Sequence, residues 1–250
     1  MTTTTRPTRA KTTATKGVPM DSLRKTALVA GLLYVITFVS IPTLVLYGPV
    51  LSDPNYIVGP GPDTPVIIGG ILEVIVALAG VGTAVVLYPV VKRQNEAAAL
   101  GFVGSRTLEG AAIVAGVVSL LSLVTLRQAG AGAGALATGQ ALAASYNWFF
   151  LLGQSLMPVV NALLLGSLLY RSRLVPRILP LVGLIGAPIL LASDIAVLFG
   201  LWDRISAPSG LLALPIALWE FSLGVYLIVK GFKPSPITAG MTAINKQPTR

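Results

Sequence analysis

Neither cysteine nor histidine occurs in the chain, and charged residues make up only 11% of its 250 positions. Without cysteine there can be no disulfide, thiolate metal site, iron–sulfur centre, c-type haem attachment or thiol nucleophile. Without histidine, the commonest metal ligand and the commonest acid–base group near neutral pH are missing too. A Ser–His dyad is excluded outright. Acidic residues are scarce: nine Asp and Glu stand against eighteen Lys and Arg. A soluble domain carries roughly a quarter charged residues, so the shortage of charge argues against a soluble fold.

What replaces the charge is apolar sequence in long blocks. Hydrophobic residues reach 54% and the mean hydropathy is +0.81. Six runs of about twenty residues or more, the length a ~30 Å hydrocarbon layer requires, lie at residues 26–46, 66–88, 99–126, 147–170, 178–201 and 210–230. They predict an all-α membrane protein, a bundle of six transmembrane helices. Residues 1–25, rich in Thr, Lys and Arg, read as a disordered basic tail, and 233–250 as a second tail. The first run is too long for a signal-peptide core and reads as an uncleaved span.

The basic residues give an orientation. Fifteen of the eighteen Lys and Arg fall on the N-terminal tail, on the C-terminal end from Lys230 onward and on the second and fourth joints; Arg127 and Arg204 lie on the opposite side, and Arg106 within a span. The positive-inside rule then places both termini in the cytoplasm. The net charge of +9 implies anionic lipid headgroups at that face as partners. No basic face with base-reading groups points to nucleic acid.

The outward joints differ from the inward ones. Residues 48–65 hold five prolines with Asp53 and Asp63 and predict an irregular or polyproline loop. The stretch 128–145, built around AGAGAGALATG, predicts a flexible linker; no strand precedes it and no GK[ST] follows, so it is no phosphate loop. Pro158, Pro188 and Pro215 predict kinks in the last three helices. Small residues four apart, such as Ala112 and Gly116, permit close helix packing.

Five ionisable residues lie inside the spans: Glu73, Arg106, Glu109, Asp194 and Glu220. An Asp or Arg near a helix centre costs roughly 2.5–3.5 kcal/mol on insertion scales, so each should find a partner or face a wet cavity. At ~1.5 Å per residue, Glu109 and Glu220 lie about 15 Å from the cytoplasmic helix ends. Arg106, three residues before Glu109, shares its face. These three form the candidate cluster, joining the third and sixth helices. Glu73 and Asp194 fall near the outer boundary as secondary acids. Four acids around one base leave surplus negative charge, suited to a proton, a cation or a small cationic solute. The competing reading is that the cluster only registers helices and the outer acids reach interfacial water. No catalytic residue, metal site or cofactor is indicated, and a paired-aspartate protease would need two close intramembrane Asp where only Asp194 is found. A non-enzymatic membrane protein is the expectation.

The motifs VVLYPVVKRQNEAAALGFVGSRTLEG, LLGSLLYRSRLVPRILPLVGLIGAP and LLALPIALWEFSLGVYLIVKGF resemble the bacterial membrane family known as domain of unknown function 4386. The resemblance runs from about residue 24 to 232. It implies a six-helix integral protein of a bacterial cytoplasmic membrane. No catalytic or binding residue is carried over, although Arg106, Glu109 and Glu220 fall inside the matching motifs.

Overall fold

In the computed structural model, which describes residues 22–239, the chain is helical and no strand occurs among the described residues. Most of both tails lies outside this range. At their inner edges the tails are folded: helix α1 (Ser22–Ile36) begins within the stretch read as tail. At the other end, residues after Gly231 fold back on the joint before the fifth span. There the Lys233 amide donates to the Leu174 carbonyl at 2.7 Å and the Ser235 hydroxyl to the Ser172 carbonyl at 2.7 Å.

Six helical segments are long and apolar enough to cross a membrane, so the chain is an integral membrane protein. The first is broken, against the expectation of one helix over 26–46. α1 gives way to a 3₁₀ turn at Thr37–Ser40, then to the short helices α2 (Thr43–Leu46) and α3 (Gly48–Ser52). Pro42 has no N–H to offer the ladder. The hydroxyls of Thr37 and Thr43 donate to carbonyls three residues back, at 2.6 and 2.7 Å, competing with helical pairing.

Helix α4 (Thr64–Val91) and α5 (Glu96–Gln128) form a hairpin. The Asn95 side chain caps α5 by accepting the Ala98 N–H at 2.9 Å. The 33 residues of α5 span about 50 Å at ~1.5 Å per residue, so it outruns the bilayer. α6 (Leu136–Phe149) follows, overturning the flexible linker expected over 128–145. Alanine is the strongest helix former, and this Ala-rich stretch packs back on α5. Gly139 lies flat on Ile57, where an added Cβ would come within 2.9 Å of the Ile57 Cβ. A π-helical turn at Phe150–Ser155 links α6 to α7 (Leu156–Ser172). The π turn lies immediately before Pro158, whose missing N–H would otherwise break the ladder at Gln154. α8 (Ile178–Leu198) and α9 (Ala207–Val229) complete the chain, each running through its internal proline.

The spans close into a ring. α1 packs on α4, α4 on α5, α5 on α7, α7 on α8, α8 on α9, and α9 returns to α1. Small residues permit the tightest crossing: at Gly31 an added Cβ would lie 2.6 Å from the Gly224 carbonyl oxygen, so α1 and α9 meet backbone to backbone. Branched side chains such as Leu78, Leu108 and Leu218 point outward into what must be lipid. Both described chain ends lie at one end of the ring, where Arg24 donates to the Leu227 carbonyl at 2.8 Å and to that of Ile228.

The opposite, far end is latched by polar contacts within a joint expected to be irregular, which contains α3 and a 3₁₀ turn at Tyr56–Val58. Arg127 pairs with Asp63 through two nitrogens and donates to the Gly59 carbonyl at 2.9 Å; Gln128 adds a bond to Asp63 at 2.9 Å. The Tyr56 hydroxyl lies 2.7 Å from the Pro62 carbonyl and 3.1 Å from Asp63. The Arg127 bonds hold the Asp63 carboxyl below its ordinary value of 3.8, with Gln128 and Tyr56 helping against partial burial. Burial and Asp63 together push the Tyr56 hydroxyl up to about 12. A carboxyl with a depressed folded value stabilises fully above its unfolded value and loses that contribution as pH falls through the folded one. Asp63→Asn is therefore expected to lower stability at pH 7 by about 1–3 kcal/mol. The gap between variant and wild type should close as pH drops below about 4. Thermal unfolding at several pH values reads both effects, and a gap that stays constant with pH contradicts the assignment.

Candidate functional site

Arg106 is set in the first half of α5 with its side chain directed into the ring, and only 2% of its surface is exposed. The structure brings Glu109 and Glu220 to it. One guanidinium nitrogen donates to both Glu109 oxygens, at 3.2 and 3.0 Å, and the other terminal nitrogen pairs with Glu220 Oε1. The Arg–Glu109 pair is the three-residue neighbour relation of a helix face. The contact to Glu220 crosses the ring to α9. The rings of Tyr34 and Phe102 flank the guanidinium, 5.4 and 5.8 Å from its centre, within cation–π range.

Asn161 of α7 completes one side, its amide donating to Glu109 Oε2 at 2.7 Å, and it is fully buried. Sequence reasoning passed over this residue. Its signal was present: an amide in mid-span costs too much to leave unpaired, so Asn161 had to meet a polar partner. Glu109 thus has both oxygens occupied. Glu220 is bonded through Oε1 alone, with no partner for Oε2 among the described residues, and both glutamates border a cavity of about 280 Å³. The cluster carries two carboxylates and one guanidinium, so it is net negative by one charge when all three are ionised.

The cavity rises from the cluster toward the far end. Phe38, Phe150, Leu190 and Ile216 give it apolar walls; Gln154 and Ser155 from the π turn and the hydroxyls of Thr37, Ser40 and Thr43 add polar atoms, and Arg106 and Glu109 border it beside Glu220. A second cavity of about 330 Å³ continues from it toward the joint between α8 and α9; Ser155, Phe150 and Leu190 line both.

The outer acids lie apart from the cluster, each with its own partners. Glu73 is 1% exposed and closed off. The Tyr47 hydroxyl reaches one oxygen at 3.3 Å and the Tyr146 hydroxyl the other at 2.8 Å, while the two rings meet edge to face at 5.2 Å. Asp194 is 4% exposed and lines the second cavity. Ser155 donates to its Oδ1 at 2.6 Å, and its buried Oδ2 has no partner. Neither acid joins the Arg106 cluster. Nearer the far-end mouth, Arg204 donates to Asn147 at 2.9 Å and lies 4.1 Å from the centre of the Phe150 ring.

Chemically, this arrangement can hold positive charge. The cluster supplies one free carboxylate oxygen in a pocket with apolar walls and one partner arginine already committed. No group of three or more acidic or metal-binding side chains is gathered for a metal ion among the described residues.

No curated protein and no solved structure matches the chain. The model of the family described as domain of unknown function (DUF4386) matches residues 29–231. That match reaches from inside the first span to just beyond the sixth and includes the whole cluster, and the chain belongs to that family.

Proposed function

We propose that this integral membrane protein binds a cation or a cationic solute at the Arg106–Glu109–Glu220 cluster and carries it through the membrane, without catalysing a reaction. The observation that carries the reading is the asymmetry of the two glutamates. Glu109 is bonded through both oxygens by Arg106 and Asn161, whereas Glu220 is bonded through one oxygen only, and both glutamates line the cavity. A site of that kind attracts positive charge and holds no histidine or cysteine to react with it. The basic residues gathered at the end bearing the termini support residence in a bacterial cytoplasmic membrane with that end inside, against anionic headgroups.

A structural role is favoured for one half of the cluster. Arg106, Glu109 and Asn161 tie α5 to α7, which registers helices.

The test is flux into liposomes containing the purified protein, measured for protons, sodium and radiolabelled ethylammonium. Wild type is expected to move at least one of these faster than empty liposomes. Glu220→Gln is expected to reduce that flux about tenfold or more, the equivalent of one charge-assisted hydrogen bond. Glu109→Gln should instead lower the unfolding temperature. Equal flux for wild type and Glu220→Gln overturns the reading.

A further inference from the structure

The break in the first span has a consequence for access to the cluster. Up to Ile36, α1 packs against α9. Beyond it, the 3₁₀ turn and α2 pack against α4, and Phe38 of the turn still meets Phe221 of α9 edge to face at 5.3 Å. Past that contact, toward the far end, α2 stays on α4, and the 280 Å³ cavity lies between the first span and α9. One lip is formed by Ile41 and Leu44, which are 58% and 55% exposed. The other is formed by the small residues Ala213 and Ala217 of α9. Ala213 and Ala217 lie six and ten residues from the start of α9 at Ala207, or about 9 and 15 Å along it. The wedge thus opens sideways at the depth of lipid tails, with Glu220 in its lining.

We infer that the cationic ligand of this site is a membrane-partitioned amine, an ammonium group on an apolar body, which enters from the bilayer between the first and sixth spans. The inference rests on the binding function proposed above and names its substrate class and route. The ammonium donates an N–H to Glu220 Oε2 and balances the surplus negative charge. The apolar body lies between Phe38 and Phe150, which line the same cavity. Aromatic faces also favour an adjacent cation. A bare metal ion is a poor fit, because hard cations need about six oxygen ligands and no group of three or more acidic side chains is gathered among the described residues. A small hydrophilic amine would gain nothing from the walls and would not reach a lateral mouth through lipid.

The same ammonium chemistry has a second conceivable source, the aqueous far end, by way of the cavity at Asp194, whose partnerless Oδ2 lies along that route. The experiment separates the two. Protein in lipid nanodiscs is titrated with radiolabelled 4-phenylbutylamine and with radiolabelled ethylammonium, and binding to empty nanodiscs is subtracted. Saturable binding of 4-phenylbutylamine is expected, at least tenfold tighter than that of ethylammonium, and uncharged 4-phenylbutanol should fail to compete. Glu220→Gln should weaken binding about tenfold or more. Ala217→Phe, which fills the lateral mouth, should slow association about tenfold or more, while Ile205→Trp, in the second cavity on the far-end route, should leave the association rate unchanged.

Equal affinity for the two amines overturns the inference. So does association slowed by Ile205→Trp rather than by Ala217→Phe. Either result leaves cation binding at Glu220 standing, since that reading is judged by the flux of Glu220→Gln. Competition by the uncharged alcohol is read on the unmodified protein, so the inference stays testable even where a variant fails to fold; effective competition overturns it.

Discussion

Replacing Arg106 with Met is expected to destabilise the protein by about 3–5 kcal/mol, the range for stranding a buried charge by removing its partner. Glu109 would retain only the Asn161 amide, and Glu220 would have no donor among the described residues. Both carboxylates would then stand in a low-dielectric ring with no counter-charge, and Glu109 is buried along with the arginine. The two flanking rings would lose their cation as well. The loss should show as a lower unfolding temperature in nanodiscs by tryptophan fluorescence.

The diagnostic step is the triple variant Arg106→Met, Glu109→Gln, Glu220→Gln. Neutral replacement of a whole buried ionic set is often nearly neutral for stability, so the triple variant should recover most of what the single one loses. Such non-additivity is what a shared network produces. Single and triple variants equally destabilised would show that Arg106 acts through packing alone. An unchanged single variant would remove the network from the account of the fold.

Why that cluster can be read from the sequence, and other parts cannot, follows from the cost of charge in lipid. Arg106, Glu109 and Glu220 stand out because a charge costs several times what one apolar residue returns, and simple helix arithmetic puts the two glutamates at one depth. The spans are legible for the same reason. Neutral polar groups carry a weaker signal. Tyr47 and Tyr146 look like ordinary aromatics in the chain, yet they close Glu73 from water. Ser155 is one hydroxyl among many until the π turn sets it on Asp194. The break after Ile36 is written in local competition between hydroxyls and the helix ladder, which hydropathy does not see. The Ala–Gly run misleads because glycine spacing suggests a linker, while alanine propensity and the packing of α6 on α5 favour helix. The lateral wedge depends on where α1 leaves α9, a tertiary fact that no single segment contains.

Replacing Trp219 with Ala is expected to cost about 3–5 kcal/mol, as large-to-small changes of a buried tryptophan do. Trp219 is fully buried in mid-span, away from the interfacial belt where most tryptophans of membrane proteins lie. Its indole rests on Gly183 of α8, where any Cβ would overlap the ring. Between helices in lipid, packing of this kind replaces the hydrophobic drive of a soluble core. α9 offers few other anchors, since its buried residues besides Trp219 are Ile216, Leu223, Gly224 and Leu227.

The substitution should also reach the site. Successive residues of a helix point about 100° apart, from 3.6 residues per turn, so the face that Trp219 presents to α8 fixes the direction in which Glu220 enters the cavity. Trp219→Ala should accordingly lower the unfolding temperature and weaken binding of 4-phenylbutylamine together. Trp219→Phe, which keeps an aromatic ring against Gly183, should retain most of both. Gly183→Ala approaches the same contact from α8: its new methyl group must displace the indole, so it should reproduce the Trp219→Ala phenotype in milder form. A Trp219→Ala protein with lowered stability but full-strength binding would show that Glu220 is aimed by Arg106 rather than by helix rotation. In that case the orienting role passes to the ion pair, and Arg106→Met becomes the variant in which binding fails first.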